Sequence, residues 1–314
     1  MEPVALRPLR VGEILDVAIK LYRANFRTLV KAVVVVVGPV QVLSALVSSS
    51  TRSFSNSRLT TTVGADGQVH LKAGAVGGVV AGGLILVALG LVATELASAA
   101  SLRAVSEAYL GEQPEWRRSL RFAVSRLRPL IWLAFIHFLL IAVGFLFCVV
   151  PGVYFYGAFA VAVPVLLLED VRGRRALGRS RDLVRGRWWP VAGAVFVATL
   201  LTSIVQSAVS AGLVGASLSA NNEIVRDVVA AIGGTAAAMI TTPFLAAVIV
   251  VLYIDLRVRK EGFDLELLAH RVGVEPTPGA APLPFLPEPP PVVVDGDEPP
   301  FWPPPPGWRP RSDS

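Results

Sequence analysis

Cysteine is almost missing: Cys148 is the only one in 314 residues. A single thiol makes no disulfide and no cysteine metal cluster. Histidine is nearly as scarce, at His70, His137 and His270. His70 and His270 fall in segments expected on opposite sides of a membrane, so no shared metal site is expected. Charge is thin as well, with Asp, Glu, Lys and Arg at 17% against about 25% in a soluble domain. No HExxH, no GxSxG and no phosphate-gripping glycine loop occurs. The serines and threonines inside apolar stretches lack a placed base. The chain therefore reads as no enzyme and implies no cofactor. Met1–Arg10 leads into an amphipathic segment rather than a short apolar core with a cleavage site, and no cleaved signal peptide is expected.

What the chain does have is long apolar runs. Hydrophobic residues make up 54% of it, and the mean hydropathy is +0.62. The run Trp132–Leu168 holds no formal charge and breaks only at Val150-Pro151-Gly152. Its two halves, Leu130–Val149 and Val153–Leu168, have the length and composition of two membrane spans joined by a tight turn. Arg117, Arg118, Arg121, Arg126 and Arg128 precede the pair, and Arg172, Arg174, Arg175, Arg179, Arg181, Arg185 and Arg187 follow it. Both ends of this hairpin are thus expected in the cytoplasm.

Four further spans complete the set. They run over Leu29–Val47 with Pro39 inside, from Val76 with helical pattern through Tyr109, over Val191–Val214, and over Val229–Ile254 with Pro243 inside. Among 29 basic residues, only Arg52, Arg58, Lys72 and Arg226 fall on the outer side. The net charge of +6 is therefore sorted by loop, as membrane insertion demands, and does not point to nucleic acid. The expected fold class is all-α: a polytopic bundle of six transmembrane helices, multi-pass in the cell membrane, with both termini cytoplasmic.

Between the spans lie basic, amphipathic stretches at 11–27, 115–128 and 173–186. In the first, Glu13, Asp16, Lys20, Arg23 and Arg27 form a polar stripe spaced three and four apart, the period of a helix. Such a helix lies either on the inner leaflet or against the inner ends of the spans. The second and third stretches look like copies: Arg121 and Arg128 fall on Gly178 and Arg185 at a common offset of 57. Residues 48–74 are rich in Ser, Thr, Gly and Asn and read as an external loop. Residues 1–272 form the membrane domain. Residues 273–314 hold most of the 24 prolines and read as a disordered cytoplasmic tail with polyproline II character.

Ionisable groups in or beside spans are the sites to weigh. Glu95, Glu169 and Asp255 are each placed near a cytoplasmic exit, where they would anchor helix depth by pairing with arginines such as Arg179 and Arg257. Glu13 and Asp16 belong to the amphipathic stripe. His137 lies seven residues into the third span, roughly 10 Å along it, where a hydrogen bond to a neighbouring helix is the expected role. Gln206, with Thr202, Ser203, Ser207 and Ser210, gives the fifth span a polar side. The expected partners are membrane lipids and either another protein or a second copy of the chain.

Four segments resemble one known family. "LRPLRVGEILDVAIKLYRANFRTLV", "ASLRAVSEAYLGEQPEWRRSL", "PVLLLEDVRGRRALGRSRDLVRGRWWPV" and "VLYIDLRVRKEGFDLELL" are similar to landmarks of the glycerophosphoryl diester phosphodiesterase membrane domain family. The resemblance covers roughly residues 7–268. It implies a multi-helix membrane domain with Glu13, Asp16, Tyr22, Glu95, Glu107, Glu169, Arg179, Asp255, Arg257 and Asp264 at matching positions. It implies no reaction, because the hydrolase barrel that follows this domain in some members would need well over 200 further residues, and only the proline-rich tail follows here.

Overall fold

The computed structural model describes residues 9–56, 61–63, 69–71, 73–171, 173–217 and 223–262. The proline-rich tail expected at 273–314, together with His270 and Asp264, lies outside the described residues. Ten helices and one small hairpin occur among those described. In order they are α1 (Val11–Ala24), α2 (Phe26–Asn56), β1 (Thr61–Val63), β2 (Val69–Leu71), α3 (Ala73–Tyr109), α4 (Trp116–Ser125), α5 (Leu127–Phe147), α6 (Val149–Ala158), α7 (Ala162–Leu168), α8 (Arg174–Val184), α9 (Trp188–Ser217) and α10 (Glu223–Glu261). Six segments are long and apolar enough to cross a membrane: Phe26–Val47, Val80–Tyr109, Leu127–Phe147, Val149–Leu168, Trp188–Leu213 and Val228–Glu261. The protein is a multi-pass helical membrane protein, and the expected bundle class holds.

Local chemistry sets the helix ends. Asn25 separates α1 from α2: its side-chain amide donates to Leu21 O at 3.1 Å, while its own carbonyl accepts from Thr28 and Leu29. One polar residue thereby closes one helix and opens the next. At the end of α3, Glu112 N–H donates to Glu107 O and Gly111 N–H to Ala108 O. Gly111 has φ +89°, the left-handed conformation that this double hydrogen-bonded stop requires. The stretch at 48–74 is more structured than a plain loop. α2 runs on to Asn56, and β1 and β2 pair antiparallel with Thr62 opposite His70.

Two expectations about the third and fourth spans need correction. The hairpin does not turn at Val150-Pro151-Gly152. It turns on Cys148 alone, in extended backbone at φ −171°, ψ 149°, and α6 starts at Val149. Proline is accommodated in a first helical turn, where its missing N–H has no partner to lose, so Pro151 sits inside α6. The fourth span is also not one helix. It breaks between Ala158 and Ala162, upstream of Pro164, which again occupies the first turn of the following helix, α7.

The burial pattern divides the bundle into two halves. α1, α4 and α8 all lie at one end, called the closed end here, where α3, α7 and α9–α10 also meet. There α3 buries Ala99, Ala100, Leu102, Ala104, Val105 and Tyr109, and α10 buries Ala246–Val248 and Val250–Leu256. The other halves of the same helices are bare: Leu84, Ile85 and Val87 on α3, Phe138 and Leu146 on α5, Ile204 on α9 and Ile232 on α10 are exposed. Phe147, at the α5–α6 turn, is 82% exposed. In a bilayer these side chains meet lipid tails, which are as apolar as leucine.

The amphipathic helices use one device. Each buries a pair spaced four apart: Ile14 and Ala18 in α1, Ser119 and Ala123 in α4, Ala176 and Ser180 in α8. The last two pairs coincide at the offset of 57 read from sequence. α1 packs chiefly on α10, with further contact to α9 and α3. The protein-packed alternative for this helix is therefore the one observed.

The α5–α6 hairpin rests on glycine. A Cβ at Gly144 would lie 2.9 Å from the backbone of Gly152, inside van der Waals contact. Gly144→Ala is expected to destabilise the protein in detergent by about 1–3 kcal/mol, since the backbones must separate. Gly83→Ala, where nothing lies within 4 Å, is expected to stay within about 0.5 kcal/mol. Thermal unfolding of the two variants checks the contrast.

Candidate functional site

Charged side chains at the closed end form three networks, each built on spacings of four residues. In the first, α10 presents Asp255 and Arg259 toward the chain entering α1. Leu9 N–H donates to Asp255 Oδ1 at 2.7 Å, and Leu9 O accepts from Arg259 Nη2 at 2.6 Å. Arg259 Nε donates to Asp255 Oδ2 at 2.8 Å and closes the ring. One backbone unit is thus held on both sides by a carboxylate and a guanidinium that also neutralise each other.

The second network joins α7, α8 and α10. Glu169, the residue that closes α7, accepts from Arg179 Nε at 2.8 Å and from Tyr253 OH at 2.9 Å. Arg179 also pairs with Glu261, which accepts from Arg257 Nε at 3.0 Å. Arg257 is 0% exposed and Glu169 6%. Burial disfavours the charge on Arg179, yet the hydrogen bonds and charges of Glu169 and Glu261 outweigh it and hold its pKa above the ordinary arginine value.

The third network fixes α4 to the end of α3. The fully buried Glu107 accepts from Arg103 Nε at 2.6 Å and pairs with Arg118 Nη2 at 3.1 Å, and Arg118 reaches Glu112 at 3.5 Å. The Glu107 hydrogen bond and charge raise the pKa of Arg118. Arg103 lies over the Phe122 ring, 4.8 Å from its centroid. Nearby, Arg126 pairs with Asp170, a non-glycine residue held at φ +53°.

The sequence candidates divide accordingly. Glu169, Arg179, Asp255 and Arg257 come together at the closed end, in ion pairs. Glu13 accepts the Arg10 N–H at 2.7 Å and caps α1. Asp16 makes an exposed pair with Lys20 at 2.7 Å, the kind worth little. Glu95 is half-buried, well inside α3. It lies 14 residues before the end of α3, roughly 21 Å along the helix, near the level where Ala97 meets Val33 and Val37 in the middle of span Phe26–Val47. His137 meets Phe159 edge-on at 5.9 Å, and its buried Nε2 has no hydrogen-bond partner. Gln206 is exposed, as are Ser203, Ser207 and Ser210. Thr202 is half-buried, and the apolar Leu201, Ile204 and Val205 beside them are exposed too, so exposure in this stretch of α9 is not confined to its polar side.

Arg103, Tyr253, Glu261 and the Leu9 backbone were not among the sequence candidates. The i,i+4 pairs Arg103/Glu107, Asp255/Arg259 and Arg257/Glu261 were the available signal. Tyr253 and Leu9 join through tertiary packing, which leaves no local spacing to read.

Fold and networks together define a multi-pass membrane protein whose bundle is closed at one end by buried ion pairs. Residues 122–274 match a family model described as "Domain of unknown function (DUF8558)", a stretch that contains α5 to α10 and hence the second network entire. No curated protein and no solved structure matches the chain.

The Leu9 clasp generates a direct test. Asp255→Asn is expected to lower stability by about 1–3 kcal/mol, because a buried charged acceptor is replaced by a weaker one. Adding Arg259→Gln is expected to cost less than the sum of the two single changes. A double-mutant cycle read by thermal unfolding in detergent checks the coupling, and strict additivity would remove the pair from the account.

Proposed function

We propose that this chain is a non-enzymatic membrane-organising protein that associates with lipids and with a partner protein or a second copy. We place it in the cell membrane with the closed end and both termini in the cytoplasm, the side to which the arginine-rich connections point under the positive-inside rule. The reading includes kinship with the glycerophosphoryl diester phosphodiesterase membrane domain family, which assigns no reaction to this domain.

One observation carries the proposal: where the polar side chains go. The buried carboxylates of the closed end, Glu107, Glu169 and Asp255, are engaged in pairs with arginines. The polar side chains of α9 at Ser203, Gln206, Ser207 and Ser210 face outward, where a second helix would satisfy them better than lipid does.

A transporter or permease-like component, moving a lipid or small solute, is the second reading. Pro39 and Pro243 inside α2 and α10 favour it, since each removes a backbone hydrogen bond within a span and leaves a carbonyl free. Reconstitution separates the two. Purified protein in liposomes is expected to move fluorescent lipid and small solutes no faster than empty vesicles do, and tags at Gly111 and Gly173 are expected to be unreachable from outside intact cells. Saturable flux abolished by Gln206→Ala would replace the first reading with the second.

A further inference from the structure

At the junction of α1, α9 and α10 lies a pocket of about 420 Å³ that the networks do not fill. Its base is apolar, made by Ile14, Val191, Leu252 and Leu256, all buried. Three arginines line it: Arg10, Arg187 and Arg259. Asp255 is the one carboxylate in the lining, and it is already matched by Arg259 and the Leu9 N–H. Arg10 and Arg187 are exposed, and their side chains have no acidic partner among the described residues. The pocket thus carries an excess of about two positive charges, with two guanidinium groups free to take an oxyanion bidentately.

Its depth decides what kind of oxyanion fits. Arg187 immediately precedes Trp188 and Trp189, and Trp189 is 81% exposed. Bare tryptophan at the mouth of a span marks the headgroup layer. The apolar residues beside the arginines lie where α9 and α10 enter the hydrocarbon. Cationic rim and apolar base match a molecule with a phosphate at one end and a hydrocarbon body at the other, and basic pockets between spans are a recurrent way to hold such headgroups.

We propose that this pocket binds the phosphate of an anionic phospholipid, held by Arg10 and Arg187 with Arg259 behind them. The assignment deepens the membrane-organising reading and rests on it for the orientation of the closed end. Free phosphate shares the recognising chemistry and differs in lacking the apolar body.

The test uses the full chain in a zwitterionic detergent, with thermal unfolding as readout. Short-chain phosphatidylglycerol is expected to raise Tm saturably, and short-chain phosphatidylcholine and inorganic phosphate are expected not to. In Arg10→Gln/Arg187→Gln the apparent affinity is expected to fall about tenfold or more, with Tm in the absence of lipid unchanged because neither side chain holds a pair. Arg174→Gln/Arg175→Gln, two exposed arginines on α8 outside the pocket, is expected to keep the wild-type affinity. Equal loss in both double variants would reduce the effect to diffuse charge and overturn the proposal. A response to phosphate as strong as to the lipid would overturn the lipid assignment, and no response to either would overturn the site. Saturable flux in liposomes alongside intact lipid binding would reject the organising role and leave this pocket standing.

Discussion

A fully buried arginine is the constraint around which the closed end is arranged. Arg257 is taken out of water at the end of α10, and an isolated guanidinium there would be strongly unfavourable. Glu261, one turn on, accepts from it. That carboxylate also pairs with Arg179 of α8, which in turn reaches Glu169 at the end of α7. Each step relieves one uncompensated charge by recruiting the next helix. On the adjoining side of the same turn, Asp255 and Arg259 hold the backbone that enters α1. α10 therefore positions α1 and α8 through its charges, and its alanines and valines fill the space between them.

Alanine makes that arrangement close. Ala97, Ala99, Ala100 and Ala104 on α3, Ala194 and Ala198 on α9, and Ala246 and Ala247 on α10 are all buried. Small side chains let helix backbones approach, which is how spans associate when lipid offers no hydrophobic drive to exclude. Toward the other end the lining changes to Leu84, Phe138, Ile204 and Ile232, large side chains that solvate well in hydrocarbon. The break before Pro164 falls within the closed half. α7 can therefore leave the line of α6 and bring Glu169 against α8 and α10.

Much of this was legible in the sequence. The six spans appear because hydropathy and length are local properties, and the amphipathic helices appear because their period is local too. Glu169, Arg179, Asp255 and Arg257 stood out because charges beside spans are rare. What stayed hidden depends on three-dimensional neighbours. Hydropathy treats lipid and protein alike, so the division into a packed and a bare half could be sensed only through alanine against leucine and phenylalanine. The end of α3 remains apolar through Ala104 and Val105 inside the protein core, so composition alone does not mark where that helix leaves the apolar layer. Gln206 was read as part of a polar side of the fifth span, and helical periodicity gives a face without saying which neighbour it meets. The resemblance of four segments to a known family lies partly over the stretch at 122–274 that matches a domain of unknown function, and neither attaches a reaction to the networks.

The central claim is that the closed end is the packed protein core and that the opposite halves of the same helices are solvated by lipid. Electron paramagnetic resonance in liposomes tests this most directly, with single spin labels in a Cys148→Ser background. The account predicts that labels at Leu84, Phe138 and Ile232 collide freely with dissolved oxygen, while labels at Ala104, Leu133 and Val250 are shielded from both oxygen and a water-soluble nickel relaxant. Equal shielding at all six positions would contradict it.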